Sequence, residues 1–326
     1  MEVKFNMLFT EDLEEIIFNR HEVHEADELV ILSGYLGPRP VRRLSELPIR
    51  TSVVYGMYGA DGISQKLHSS LSETHTENDN VEIFYSKTGI HSKCYAWKNR
   101  GSITHALIGS ANFSNKGMNT PNREMLAECT RDTFSPLQRY LENVLRNSIE
   151  CLDDNVSFGP NRTILEAVYE KATNNSLTGR LTLLDRSGEV PPRSGLNWGQ
   201  GIGNVTPNDA YIAIRMKFLR ENPFIIPPKD KLHAFRLPKQ PIELIWDDGV
   251  IMDGSLEGNN SSLIDGEMYP KQLTTKSKAD MGAYLRRRLG LRSGQKVTRK
   301  HLDDYGRTDI SITLVGEGIY ELDFSV

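Results

Sequence analysis

The sequence predicts an α/β domain over residues 1–175 followed by a mainly β domain over residues 176–326. In the first half, short apolar runs typical of buried strands alternate with segments whose apolar residues recur every three or four positions, as on helices. From about residue 174, Gly, Pro and Asn separate short β-type runs, a pattern typical of antiparallel structure. A chain of 326 residues is also long enough for two cores.

The elements of the first domain follow from apolar runs and helical spacing. A helix opened by Asp61 as its N-cap is expected over 61–73. Two closing helices are expected over 135–152 and 160–173, each with a proline near its start. Strands are predicted at 28–35, 50–57, 80–86, 91–97 and 105–110, and the last of these leads to the segment 124–130.

The second domain is predicted to be a compact antiparallel barrel or sandwich with one or two helices. The helical segments are 278–291 and 298–306. The β-type runs are 180–185, 210–218, 241–256 and 309–326.

Composition narrows the function classes. The sequence contains no apolar run of the roughly 20 residues that a membrane span needs, and its N-terminus is acidic, so we expect a cytoplasmic protein. The three cysteines lack CxxC spacing, which argues against a thiolate zinc site. The net charge is −4, but the second half is slightly basic, so a polyanion-binding surface is expected there.

The segment from residue 90 to 115 carries the most specific chemistry. His91 and Lys93 share one face of an extended strand, while Ser110 and Asn112 share parity after Gly109, where the backbone can approach a ligand closely. A phosphodiester requires donors on its non-bridging oxygens and a nucleophile in line with the leaving oxygen. The lysine, amide and hydroxyl supply donors, and a neutral imidazole supplies the nucleophile.

This HxK followed by GSxNxS resembles the signature of the phospholipase D superfamily. The resemblance implies that His91 forms a phosphohistidine and that a glutamate just past the GSxN segment orients its ring. Glu124 matches that position, with Glu128 as the alternative. Glu124 could instead be a surface carboxylate paired with Arg123 or Lys116. Lys98 occupies the position where the full HxKxxxxD pattern has an aspartate, a departure shared by the restriction-enzyme branch and unfavourable to a lipase.

Only one HxK occurs in the chain, whereas the reaction needs one histidine to attack phosphorus and another to protonate the leaving oxygen. A homodimer that pairs two copies of His91 across a twofold axis would supply both. We therefore expect a homodimer.

The second half resembles the NgoFVII/NgoAVII group of phospholipase-D-type restriction endonucleases at residues 191–215 and 278–291. The resemblance implies a B3-like pseudobarrel that grips DNA with two arms, residues 193–200 and 247–260. Arg, Asn, Gln, Asp and Glu side chains on these arms are suited to reading base edges. The predicted DNA-binding residues are Arg193, Ser194, Asn197, Trp198, Gln200, Asp253, Ser255, Glu257 and Asn259.

Structural alternatives exist for several of these residues. The 197–200 string could be a turn with Trp198 as a packing anchor. The three arginines at 286–288 could bind phosphate or form a solvated helix face. HEVHE at 21–25 lacks the spacing of a zinc-protease motif, and residues 56–62 lack that of a nucleotide cradle.

The sequence as a whole predicts a metal-independent restriction endonuclease that cleaves double-stranded DNA at or near a short specific site and needs no cofactor. By resemblance, cleavage could also depend on a separate ATP-driven helicase-like subunit. Two alternatives remain open: a sequence-specific DNA-binding protein whose nuclease domain is inactive, and a phospholipase-D-type lipid phosphodiesterase. The second would need a membrane-facing surface, for which the sequence has no candidate.

Overall fold

A computed structural model describes residues 8–159, 177–229, 240–258 and 262–326. The chain divides into two compact units, residues 1–171 and 172–326. The helix predicted over 160–173 and the predicted DNA contact Asn259 lie outside the described residues.

The first unit is built on an eight-stranded mixed sheet with the order β1-β7-β6-β5-β2-β3-β4-β8. Strands β2, β3 and β4 run parallel, while β5 is antiparallel to β2 and to β6. The strands are β1 (Leu8–Phe9), β2 (Glu28–Ser33), β3 (Arg50–Tyr55), β4 (Val81–Ser86), β5 (Cys94–Asn99), β6 (Ser102–Gly109), β7 (Leu126–Glu128) and β8 (Ser148–Glu150).

Helices cover both faces of this sheet, which explains why β2 reads as a continuous apolar run. The helices are α1 (Leu13–Val23), α2 (Pro38–Arg43), α3 (Tyr58–Asp61), α4 (Gln65–Glu77), α5 (Asn115–Asn119) and α6 (Arg131–Arg146). Leu141 and Val144 of α6 pack on the face that carries Leu32 and Val54. Helix α4 contacts β4 on the other face, where Tyr85 is buried against His68.

The predicted start of the helix at Asp61 is wrong. Asp61 ends the short helix α3, and Gly62, at φ +70°, separates it from α4. The N-cap of α4 is Ser64, whose hydroxyl accepts a hydrogen bond from the backbone N–H of Leu67 at 3.2 Å. Asp61 instead has a buried tertiary partner.

The second unit contains a seven-stranded sheet with the order β10-β15-β12-β11-β17-β16-β9 and a separate β13-β14 hairpin. All pairs in the large sheet are antiparallel except β11 with β17. Edge strands β9 and β10 approach each other, so the sheet nearly closes into a barrel. The strands are β9 (Thr178–Thr182), β10 (Ile212–Ala213), β11 (Gln240–Trp246), β12 (Ile251–Glu257), β13 (Ser262–Ile264), β14 (Glu267–Tyr269), β15 (Gln272–Thr275), β16 (Asp309–Gly316) and β17 (Ile319–Asp323).

Three α-helices accompany this sheet in the described ranges: α7 (Met216–Glu221), α8 (Lys278–Arg288) and α9 (Arg299–Tyr305). The strand predicted over 210–218 is therefore partly wrong, since only Ile212–Ala213 pair as β10 and a helix begins at Met216. Phe218 and Leu219 are buried on α7, and Gly179 of β9 leaves room for the ring of Phe218. Tertiary packing thus overrides the local β preference.

Candidate active site and recognition surface

The candidate site of the first unit lies where β2 ends, β5 begins and β6 ends. Leu32 near the end of β2 pairs with Cys94 at the start of β5, and Cys94 pairs with Ile108 near the end of β6. Because β5 is antiparallel to both neighbours, the segments that leave β2 and β6 meet the segment that enters β5. The three segments carry Gly34, Asn112 and the 91–93 pair.

His91 and Lys93 lie just before β5 rather than within it, because the strand begins at Cys94 and not at residue 91 as predicted. The imidazole is exposed, whereas Lys93 is 6% exposed. Lys93 Nζ lies 3.0 and 3.1 Å from the two ring nitrogens of His91 and donates to the carbonyl oxygen of His91 at 2.5 Å. The buried ammonium is thus directed at the imidazole.

Gly34 marks the point on which these side chains converge. A Cβ atom at this position would lie 3.1 Å from His91 Cδ2, 3.3 Å from Lys93 Nζ and 3.4 Å from Asn112 Oδ1. All three polar side chains therefore contact one small patch of backbone, which a larger residue would crowd. The structure brings together three residues that the sequence separates by up to 21 positions.

Asn112 is 9% exposed, and its orientation is set by the backbone of the neighbouring strand end. Its Oδ1 accepts a hydrogen bond from the Tyr35 N–H at 3.2 Å. Because a backbone N–H can only donate, this contact requires the amide oxygen at that position and turns the NH2 group away from it. The amide donors are thereby available for an anionic ligand.

Ser110 is exposed and connects the end of β6 to the segment that carries Glu124. Its hydroxyl oxygen accepts from the Met125 N–H at 3.2 Å, and its own N–H donates to the Met125 carbonyl at 3.0 Å. A Cβ on Gly109 would lie 2.0 Å from that carbonyl oxygen, so only glycine permits the close approach. Gly109 and Ser110 thus fix the position of this segment.

The two candidate carboxylates have different surroundings. Glu124 is partly buried, lies 3.3 Å from Arg123 Nε, and is close enough to Tyr95 to act with burial and Cys94 in raising the pKa of that phenol. The Tyr95 hydroxyl donates at 2.8 Å to the carbonyl of Ala111, which directly precedes Asn112. Glu124 therefore lies beside the site, and it also makes the predicted alternative contact with Arg123.

Glu128 belongs to a separate cluster. Its carboxylate is 3.0 Å from Arg20 and 4.0 Å from His105, whose ring stacks on His24 with centroids 3.9 Å apart. Burial, then the neighbouring His24 and Arg20, lowers the pKa of His105 to about 3. The Arg20 pairing directs the Glu128 carboxylate into this cluster.

In the second unit, the two predicted arms meet at a residue that the sequence did not single out. Lys278, the first residue of α8, has its Nζ 4.3 Å from the ring centroid of Trp198 and 3.8 Å from a Glu257 carboxylate oxygen. Glu257 in turn accepts from the Ser255 hydroxyl at 2.5 Å. Residues from 198, 255–257 and 278 thus form one continuous row, which we call the Lys278 row.

Several predicted base-contacting residues are part of the scaffold instead. Asn197 is fully buried: its Nδ2 donates to the carbonyls of Pro191 and Val297 at 3.0 and 2.7 Å, and its Oδ1 accepts from the Val297 N–H at 2.7 Å. Ser255 is also buried, and Gln200 donates to the Gly294 carbonyl at 2.9 Å. An amide with all these bonds satisfied inside the protein is not presented to a base.

The remaining predicted contacts are more accessible. Arg193 is exposed, and Ser194 and Trp198 are partly exposed, with Trp198 edge-on to Tyr211 at 5.5 Å. Asp253 lies on β12 opposite Glu243 of β11. The segment predicted as a second arm is thus a hairpin turn and an interior strand of the sheet, because β12 pairs on both sides with β11 and β15.

Family models match both halves of this chain. The NgoFVII restriction endonuclease N-terminal PLD domain matches residues 11–157, and the NgoFVII C-terminal B3-like DNA-binding domain matches residues 171–315. The protein belongs to the NgoFVII restriction endonuclease family. The predicted fold class, a phospholipase-D-like domain followed by a B3-like domain, is confirmed. Among proteins with curated functions, none matches this NgoFVII-family sequence.

Several solved structures are similar to part of this NgoFVII-family chain. NucT from Helicobacter pylori has 16% identity and a TM-score of 0.33 over 44% of this chain and 96% of its own. Nuc from Salmonella typhimurium, a phospholipase D family member, has 7% identity and a TM-score of 0.29 over 42% and 88%. Yeast tyrosyl-DNA phosphodiesterase has 13% identity and a TM-score of 0.26 over 73% and 62%.

Within the described ranges of the NgoFVII-family chain, no three His, Cys, Asp or Glu side chains are grouped so as to hold a metal ion. No helix in those ranges combines the length and apolar character needed to cross a membrane.

Lys98, which stands where an aspartate completes the HxKxxxxD pattern, has a structural partner in this NgoFVII-family protein. It lies within β5, is 7% exposed, and its Nζ is 3.2 Å from Glu28 Oε1 on the paired strand β2. The residue at this position thus forms a cross-strand ion pair.

Two residues of the site were missed by the sequence analysis: Ser33 and Gly34. The Ser33 hydroxyl donates to the Tyr35 carbonyl at 2.6 Å and accepts from the Phe113 N–H at 2.9 Å, which ties the end of β2 to the segment after β6. The available signal was a Ser-Gly-Tyr string at the end of an apolar strand. Its role in the site could not be predicted, because it depends on the pairing of β5 with β2 and β6.

Proposed function

We propose that this protein is a metal-independent restriction endonuclease that hydrolyses phosphodiester bonds of double-stranded DNA at or near a short specific sequence. The reaction is proposed to proceed through a phosphohistidine on His91. The observation that carries the proposal is the convergence of an imidazole, an ammonium and an amide on Gly34, within a family of restriction endonucleases.

In the first step, a ring nitrogen of His91 attacks phosphorus, the P–O bond to the leaving group breaks, and the leaving oxygen takes a proton from a second imidazole. In the second step, that imidazole removes a proton from water, whose oxygen attacks phosphorus and releases His91. Lys93 and the Asn112 amide would donate to the non-bridging oxygens, where negative charge accumulates. The positive charge of Lys93 and the dipole of the Asn112 amide would stabilise the negative charge that a metal ion stabilises in other nucleases.

Glu124 is the carboxylate that we assign to orienting the His91 ring, in preference to Glu128. Ser110 holds the Glu124 segment beside the site, whereas Glu128 is paired with Arg20. Ser110 would thus act through the position of this segment as well as through its own hydroxyl.

The second imidazole is proposed to come from another copy of the chain. The proposed dimer patch consists of three exposed apolar side chains: Ile108 near the end of β6, Met125 beside Glu124, and Tyr140 of α6. Tyr140 is tied to the residue between the two catalytic candidates, since its hydroxyl lies 2.6 Å from that of Ser92. A twofold contact on this patch would bring the two copies of His91 together.

DNA recognition is assigned to the B3-like unit, on the surface formed by the Lys278 row and the turn at residues 193–200. Among the predicted DNA contacts, Arg193 is exposed, and Ser194, Trp198, Gln200, Asp253 and Glu257 are partly exposed. Asn197 and Ser255 would support this surface from inside. Arg286 would do so as well, because it is 1% exposed and donates to the carbonyls of Gln295, Gly282 and Leu196.

The decisive experiment incubates the purified protein with a mixed-sequence plasmid, with excess EDTA in one arm and Mg²⁺ in the other, and sequences the DNA ends. We expect equal cleavage in both arms and ends clustered at one short motif. Cleavage that EDTA abolishes would contradict metal independence, and randomly distributed ends would contradict specificity.

A gel-shift on the motif-containing duplex separates the alternatives. Retardation without cleavage would indicate a DNA-binding protein with an inactive nuclease domain, unless cutting appears when cell extract and ATP supply a helicase-like partner. Neither retardation nor cleavage, with release of a headgroup from phospholipid vesicles, would indicate a lipid phosphodiesterase.

A further inference from the structure

The imidazole of His91 is exposed and lies outside any strand, so its own backbone element does not restrict its rotation. An in-line attack nevertheless requires the ring nitrogen to point steadily at phosphorus, because a misplacement of about 1 Å can cost a hundredfold in rate. Lys93 contacts one side of the ring. A contact on another side is needed to hold the orientation of the ring.

Tyr35 supplies that second contact. Its ring meets the His91 imidazole edge-on, with centroids 5.8 Å apart and planes at 72°. Tyr35 is 4% exposed, and its N–H is the donor that orients Asn112. One residue thus contacts two members of the candidate catalytic group, one through its ring and one through its backbone.

A buried carboxylate holds the tyrosine ring in place. The Tyr35 hydroxyl donates to Asp61 Oδ2 at 2.6 Å, and Asp61 is 4% exposed at the end of α3. A charge-assisted hydrogen bond of this length in a desolvated setting is strong and directional. It fixes the far end of the ring whose near edge contacts His91.

We propose that Tyr35 and Asp61 are positioning residues that restrict rotation of the His91 imidazole, Asp61 acting through the Tyr35 hydroxyl. This inference rests on the proposed nuclease function. Tyr35 would thus restrain the His91 ring in addition to Glu124, from a different side.

The test compares three variants with the wild type: Tyr35→Phe, Asp61→Ala and Asp61→Asn. The first two remove the hydrogen bond, and we expect kcat for specific cleavage to fall by about tenfold, with KM and duplex binding unchanged within about twofold. Asp61→Asn keeps an acceptor for the hydroxyl and should recover most of the rate. Tyr85→Phe is the matched control, because it removes another buried tyrosine hydroxyl, which lies 3.1 Å from His68, and it should leave kcat unchanged.

The proposal is overturned if Tyr35→Phe and Asp61→Ala cut as fast as wild type, or if Asp61→Asn is no better than Asp61→Ala. Losses no larger than that of Tyr85→Phe would also overturn it, since they would reflect general destabilisation.

A second readout does not need cleavage. In protein with 13C-labelled histidine, the His91 ring signal is identified by its loss in His91→Ala. It should be sharp and shifted by the Tyr35 ring current in wild type, and should move towards free-imidazole values in Asp61→Ala. An inactive wild type would count against the proposed function alone, while an unchanged His91 signal would count against this inference alone.

Discussion

The candidate catalytic edge of the first unit and the proposed recognition surface of the second unit use polar residues in opposite ways. At the catalytic edge, His91, Lys93 and Asn112 converge on the Gly34 backbone. On the recognition surface, Asn197, chosen by the same kind of chemical reasoning, is buried and bonded to backbone groups. Residue chemistry therefore predicted which side chains converge in the first unit more reliably than which side chains are exposed on the second.

The difference has a physical basis. A reaction at phosphorus demands a particular set of groups within a few ångströms of one point, and few other arrangements place a histidine, a lysine and an amide together. Base recognition uses Arg, Asn, Gln, Ser and acidic side chains, which also cap turns and satisfy buried carbonyls. Such residues on a turn are ambiguous until their burial is known.

The largest effect is expected from His91→Ala, which removes the nucleophile. We expect specific cleavage to fall by about a thousandfold or more, because the proposed covalent intermediate forms on the His91 ring. Duplex binding by the B3-like unit should be nearly unchanged. Plasmid cleavage and a gel-shift on the same preparation measure the two effects, and an active His91→Ala enzyme would refute the assignment.

The next largest effect is expected from a comparison of two residues of one turn, the buried Asn197 and the exposed Arg193. Asn197→Ala removes three hydrogen bonds from a fully buried amide and leaves the Val297 and Pro191 groups without them, so we expect a loss of about 3 kcal/mol in stability. Arg193→Ala, at an exposed position, should leave the melting temperature unchanged and weaken DNA binding.

Denaturant titration and gel-shift of both variants check this contrast. An Asn197→Ala protein of wild-type stability would mean that the buried amide contributes nothing to folding, which would contradict a structural role for Asn197.

The two units should also differ in acid. The first unit contains His105, whose pKa burial, His24 and Arg20 lower to about 3, and Glu14, whose burial is outweighed by hydrogen bonds from Asn119, Arg43 and Arg39 that lower its pKa. Unfolded His105 takes a proton as the pH falls through about 6.5 while the folded form stays neutral, so stability falls from there downward. Between pH 6.5 and 5 this one histidine should cost about 2 kcal/mol.

In the second unit, the carboxylates Asp247 and Asp323 also have lowered pKa values, but their contribution is lost only when the pH falls below about 4. Hydrogen exchange followed by mass spectrometry should therefore show that lowering the pH from 7 to 5 increases the opening of the first unit more than that of the second. His105→Gln should reduce this pH dependence, and equal acid sensitivity of both units would contradict the expectation.

The smallest effect is expected at Gly34. Its Cβ would lie 3.1 to 3.4 Å from the three converging side chains, so Gly34→Ala should displace them by a few tenths of an ångström and reduce kcat about tenfold with little change in stability. Gly159→Ala, where nothing lies within 4 Å of the added methyl, is the control. Full activity in Gly34→Ala would show that the convergence tolerates displacement.

Much of the first unit could be predicted because local signals and tertiary structure agree there. The apolar runs at 28–35, 50–57 and 80–86 are strands β2, β3 and β4, since a strand covered by helices on both faces has to be apolar throughout. The predictions failed where a single residue could serve either of two elements. Asp61 has the character of an N-cap, yet the chain places it against Tyr35, and Ser64 takes the capping role.

The sequence by itself determined the candidate reactive groups, their spacing along the chain and the change from α/β to β character near residue 175, because these depend on residue identity and on short-range periodicity. Only the tertiary structure decided that residues 34, 91 and 112 meet, that Tyr35 and Asp61 stand behind the imidazole, and that Lys278 joins two distant segments. It also decided that Asn197 and Arg286 are interior residues. Strand pairing sets these contacts, and pairing depends on cooperative packing of the whole sheet rather than on any local run of residues.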